Sequence, residues 1–180
     1  MQKIISLFQR NYDGDRQVRD EVTPGAEWVI DGEGTATRKW DGTCCMIKDC
    51  ELYKRYDAKN GKTPPEGFVP AQEPDPITGH WPGWLKVGEG KDDIWFRDGL
   101  ANSGKPIDGT YELVGPKINS NRDKWDTHYL VKHGASQLEA PRTFEKLKAW
   151  FAEQNIEGIV WHHPDGRMVK IKKKDFGYKW

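Results

Sequence analysis

Apolar residues in this chain come in short stretches, with turn residues such as Gly, Pro, Asp and Asn between them. That pattern limits the fold more than any other feature, because runs of this length suit strands and are too brief for most helices. Thr43–Lys48 and residues 51–55 read as a hairpin with Asp49-Cys50 at its turn. Residues 110–114 and 128–132 read as further strands. Gly158–His162 and residues 167–172 flank Pro164-Asp165-Gly166, a turn sequence that predicts a second hairpin. One helix stands out, over residues 141–154. Pro141 and Thr143 suit its first turn, and Phe144, Leu147, Trp150 and Phe151 share a face. Residues 60–92 hold most of the prolines and many glycines, which predicts a long loop or insertion with little regular structure.

Charge narrows the partners. The 28 basic and 28 acidic side chains cancel, so binding of nucleic acid over the whole surface is not expected. The distribution is uneven, however. Arg167, Lys170, Lys172, Lys173, Lys174 and Lys179 make the end of the sequence basic, and one basic cleft remains compatible with zero net charge. No apolar run approaches the ~20 residues of a membrane span, and the first residues do not read as a signal peptide. Cys44, Cys45 and Cys50 have no metal-ligand spacing and leave one thiol over in any disulfide scheme, so reduced thiols and a cytoplasmic location are expected. The nine tryptophans read mainly as filling for a small core.

Five short segments carry candidate chemistry. Lys39-Trp40-Asp41-Gly42 offers a lysine that could attack phosphorus once neutral, with Arg38 and later lysines supplying a positive field. Asp41 could orient the site, and Gly42 would let backbone approach a ligand. Lys54-Arg55 offers phosphate contacts, Arg55 bidentate ones. Glu112, inside the apolar Tyr111-Glu112-Leu113-Val114, needs a partner if buried, and a ribose hydroxyl could be it. Glu157, heading Glu157-Gly158-Ile159-Val160, suits a metal or metal-bound water, and Ile159 would offer an apolar surface to a base. Lys170-Ile171-Lys172 sets two ammonium groups on one strand face, which favours an anion between them. Each segment alone is as readily an exposed turn or a solvated strand.

In this order the five resemble the covalent nucleotidyltransferase superfamily of polynucleotide ligases and RNA-capping enzymes. A closer resemblance runs from about residue 30 onward. Lys39-Trp-Asp-Gly-Thr-Cys-Cys45, Gly79-His-Trp-Pro-Gly-Trp84, Glu112-Leu-Val-Gly-Pro-Lys-Ile-Asn-Ser-Asn121, His133-Gly134 and Glu157-Gly-Ile-Val-Trp-His162 are similar to the small ATP-dependent 5′–3′ RNA ligase family that includes an animal enzyme. The resemblance implies an α+β nucleotidyltransferase (ATP-grasp-like ligase) fold, with antiparallel sheets enclosing an ATP cleft and helices flanking them. It implies a single adenylyltransferase domain over residues 1–180 without the C-terminal OB-fold of DNA ligases. Lys39 would take AMP from ATP, with Mg²⁺ or Mn²⁺ at Glu157. Glu112 would contact the ribose, Lys170 and Lys172 the phosphates, and Ile159 the adenine, with His133 opposite. AMP would then pass to a 5′-phosphate RNA end, which a 3′-hydroxyl would seal.

Other readings stay open at this point. A GTP-using capping-type transferase or a minimal DNA ligase would share the lysine chemistry, and nucleotide choice separates them. A non-catalytic nucleic-acid-binding module would keep the fold but have no need of Lys39.

Overall fold

Short strands make up most of the secondary structure in the computed structural model, which describes residues 1–180. In chain order the elements are β1 (Ile5–Ser6), β2 (Phe8–Arg10), β3 (Val18–Val22), α1 (Glu27–Ile30), β4 (Thr35–Lys39), β5 (Thr43–Lys48), β6 (Glu51–Ala58), β7 (Val69–Pro70), β8 (Trp81–Lys86), α2 (Ile94–Asn102), β9 (Gly109–Val114), β10 (Tyr129–Lys132), α3 (Phe144–Glu153), β11 (Gly158–His162) and β12 (Met168–Lys172). Strands dominate and helices are few, so the class is α+β with mainly antiparallel sheets. No helix is long and apolar enough to cross a membrane.

The chain divides into two compact units. One comprises residues 1–3 and 41–133, the other residues 4–40 and 134–180. The first is built on a six-stranded sheet of order β10-β9-β5-β6-β8-β7. Its β5–β6 hairpin turns at Asp49 and Cys50, as the sequence predicts, with φ of 52° and 62°. Two successive left-handed residues match the twist of the flanking strands. Cys45, Ile47, Leu52, Tyr111, Leu113, Ile118 and Leu130 form its core, with Trp95, Phe96 and Leu100 of α2 packed against it. Residues 60–92 depart from expectation. Pro82 and Gly83 read as breakers, yet both lie inside β8, which pairs with β6 over six residues and with β7 at its edge. Pro82 lacks a donor but still contributes its carbonyl, which accepts from Ala71 N–H at 3.0 Å.

The second unit carries a four-stranded sheet, order β1-β12-β11-β4, in which only the β1–β12 pair is parallel. The second predicted hairpin is present as β11–β12. Its core face gathers Ala36, Ile159, Trp161, Val169 and Ile171 against Leu147 and Phe151 of α3. Truncating a buried aromatic such as Phe151 to Ala would cost about 3–5 kcal/mol. The helix starts later than predicted. Thr143 is its extended N-cap residue and Pro141 lies outside it.

Candidate active site

In the sheet of the second unit, strand phase decides which side chains face away from the core. Gly158 pairs with Lys39 on one side and Lys172 on the other; Val160 likewise pairs with Thr37 and Lys170. Alternation therefore brings Lys39, Lys170 and Lys172 to one face, opposite Ile159 and Ile171. Gly158 is required by space: a Cβ there would collide with the Ile171 carbonyl oxygen and lie 3.0 Å from Lys172 Cα. Between the two lysines there is consequently no side chain in that row, and the Glu157 carboxylate serves both. Lys39 Nζ donates to Glu157 Oε2 at 2.6 Å, and Lys172 Nζ lies 2.9 Å from Glu157 Oε1.

Lys39, Lys170 and Lys172, together with Arg10 on Asp175, outnumber the Glu157 and Asp175 carboxylates and leave a positive excess. Lys170 registers it: burial, then Lys172 and Lys39, push its ammonium down to about 8. Behind this row, buried Asp175 pairs with Arg10 and accepts the Lys172 backbone N–H at 3.0 Å, which fixes the end of β12. Glu157 is a hard oxygen donor. Such a carboxylate is of the donor type Mg²⁺ takes, although both of its oxygens meet ammonium groups here.

Arg38 and Ile159 stand elsewhere. The Arg38 guanidinium lies 4.0 Å from the Trp40 ring centroid and reaches the Asn155 carbonyl. Ile159 is fully buried in the core cluster. It therefore presents no surface to a base here, and Val160 is the strand's apolar residue on the lysine face. Ile-Val-Trp is apolar throughout, so strand phase could not be read from it.

The six-stranded sheet carries the other candidates. Asp41 Oδ1 accepts from Asn119 Nδ2 at 2.9 Å. Gly42 allows a close approach, though to protein: a Cβ there would strike the Leu113 carbonyl oxygen and lie 2.6 Å from Glu112 Cγ. Glu112 is buried within β9 and has a protein partner, His133, whose Nε2 lies 2.9 Å from its Oε2. His133 Nδ1 sits 2.9 Å from Thr110 Oγ1. Arg55 donates to the Met1 carbonyl at 2.7 Å and packs over Trp84, while Lys54 pairs with the buried Asp93. Sequence reasoning missed Asp175 and Arg10 in one unit and Asn119 and Thr110 in the other, whose contacts to the candidate residues of their own unit are made through tertiary structure. Only Asn119 lay within a quoted motif.

Lysines gathered around a glutamate on a sheet face, in an α+β chain with this motif order, make a candidate anion-binding site. A family profile described as RNA ligase 1 matches residues 104–180. Those residues include Glu112, His133, Glu157, Lys170 and Lys172; Lys39 lies before them. RNA ligase 1 of mouse (Mus musculus) is 28% identical, across 81% of this chain and 67% of that protein. The rat (Rattus norvegicus) protein of that name is likewise 28% identical, and the zebrafish (Danio rerio) protein 24%, each across 81% of this chain and 68% of its own length. Over most of its length the chain is thus similar to animal proteins named RNA ligase 1.

Proposed function

We propose that this protein is an ATP-dependent RNA ligase of nucleotidyltransferase fold that works through a lysyl–AMP intermediate at Lys39. The observation that carries the reading is the contact of Lys39 Nζ with Glu157 at 2.6 Å, on a sheet face shared with Lys170 and Lys172. The relatives named RNA ligase 1 support the RNA substrate.

Lys39 attacks the α-phosphorus of ATP as a neutral amine, so its ammonium must first lose a proton. Neighbouring ammonium groups favour that loss, and the Glu157 carboxylate is within reach to receive the proton. The new N–P bond forms as the bond to the pyrophosphate oxygen breaks. Negative charge spreads over phosphate oxygens, which Lys170 and Lys172 are suited to neutralise. Mg²⁺ or Mn²⁺ held with Glu157 would shield the same charge. The 5′-phosphate of an RNA end then takes AMP, breaking the N–P bond, and Lys39 regains a proton. A 3′-hydroxyl finally attacks that phosphate and expels AMP. Glu112 and His133 are assigned to the nucleotide sugar and base.

The test is a gel assay on matched RNA and DNA strands sharing one sequence and one 5′-phosphate. Sealing of RNA with ATP, slower sealing of DNA and none with Lys39→Ala are expected. The 2′-hydroxyl distinguishes the two substrates. Equal or faster sealing of DNA would overturn the RNA assignment.

A further inference from the structure

The spacing of Cys44, Cys45 and Cys50 suggests no metal site, only reduced thiols. The sheet supplies the neighbours instead. Cys44 on β5 lies directly opposite Glu112 on β9, and Glu112 lies opposite Val131, two residues before His133. Period-two alternation therefore turns Cys44, Glu112 and His133 to one side. Cys45 takes the other side, fully buried, with its sulfur toward the Tyr111 carbonyl oxygen. The result is one thiol, one carboxylate and one imidazole whose donor atoms all lie within 4.8 Å of one another.

We propose that Cys44, Glu112 and His133 form a binding site for a thiophilic divalent cation, with zinc the best-fitting ion. Sulfur, imidazole nitrogen and carboxylate oxygen are the donor types zinc takes, at about 2.0–2.3 Å, and three protein ligands leave a fourth position for water or substrate. Magnesium gains little from a thiolate, so the ion of the proposed ligase chemistry does not compete well here. His133 is already oriented. Its backbone N–H donates to the Thr110 carbonyl at 3.0 Å, and Thr110 Oγ1 sits 2.9 Å from Nδ1. With Nδ1–H donating to Thr110, Nε2 turns its lone pair toward the ion, the outer-shell arrangement common for ligating histidines. Binding displaces the thiol proton and the proton shared by Nε2 and the Glu112 carboxylate; both leave to solvent.

The consequence for activity rests on the proposed function. Glu112 cannot ligate zinc and contact a nucleotide sugar equally well, so zinc opposes nucleotide loading.

Cobalt(II) is the probe, titrated into the full chain. One equivalent should give thiolate-to-cobalt charge-transfer absorption that added zinc removes. Cys50→Ser, altering the exposed hairpin-turn thiol, should keep the band; Cys44→Ser should lose it. His133→Gln should weaken cobalt binding at least tenfold, and it decides the matter should Cys44→Ser fail to fold by circular dichroism. No band in the wild type, a band surviving in folded Cys44→Ser, or unchanged affinity in His133→Gln would overturn the site. Separately, equimolar zinc in excess Mg²⁺ should slow AMP adduct formation at least tenfold. Unchanged adduct formation beside a cobalt band would overturn the competition alone. An adduct missing even without zinc would count against the ligase reading, while the cobalt titration would still decide the metal site.

Discussion

Both units set a glutamate against a base, yet the two contacts differ in charge balance. In the unit of residues 4–40 and 134–180, Glu157 is outnumbered by Lys39, Lys170 and Lys172. In the unit of residues 1–3 and 41–133, Glu112 has no lysine or arginine partner and meets the His133 imidazole, itself tied to Thr110. The first arrangement is left electropositive and calls for an anion. The second is already satisfied and offers directional hydrogen bonding. Catalysis gains most from charge stabilisation that acts in the transition state, whereas a satisfied pair serves recognition. The proposed roles follow that division: phosphate chemistry on the lysine face, sugar and base contacts at Glu112 and His133.

The sharpest way to break this contrast is to neutralise each glutamate in turn. Glu157→Gln should slow adduct formation at saturating ATP and Mg²⁺ at least ~100-fold, about 2.7 kcal/mol of barrier, with little change in ATP affinity. Rapid-quench kinetics would show it, and a rate within about twofold of wild type would remove Glu157 from the chemistry. Glu112→Gln should do the reverse, weakening ATP binding about tenfold, ~1.4 kcal/mol, while the rate at saturation stays near wild type. If Glu112→Gln instead reduces only the saturated rate, the division of labour fails.

A smaller effect concerns stability. The Lys170 ammonium is held down at about 8 against an ordinary 10.5, chiefly by burial. The unfolded chain then binds that proton more tightly, so stability rises with pH between the two values. The penalty is complete below about pH 8 and gone above about 10.5. Lys170→Met should therefore stabilise the fold at pH 7 by about 1 kcal/mol, after allowance for partial exposure, raising Tm ~2–4 °C. The gain should vanish above pH 10.5. Melting curves at both pH values check this, and an equal or lower Tm at pH 7 would contradict a crowded lysine face.

The same contrast explains what could be read from sequence. Lys39, Lys170 and Lys172 were legible because β4 and β12 carry them at fixed phase beside Gly158, and Glu157 because it immediately precedes that glycine. The β5–β6 hairpin was legible from its turn. The phase of β11 was not: with Ile159, Val160 and Trp161 all apolar, period two leaves no trace, and the sequence does not show that Ile159 faces the core. β8 was hidden by Pro82 and Gly83, whose local signal is overridden by pairing with β6. Helix α2 was hidden by Gly99 at its centre, a poor helix former. Cys44 gained its neighbours only through strand register, and Asp175 reaches Arg10 across most of the chain.

The most direct test of the central claim is where the nucleotide goes. Purified protein incubated with ATP and Mg²⁺ should gain the mass of one AMP by intact mass spectrometry, and peptide mapping should locate it on Lys39. Lys39→Ala should fold normally and gain nothing. Undiminished adduct in that variant, or AMP mapped to Lys170 or Lys172, would contradict the account.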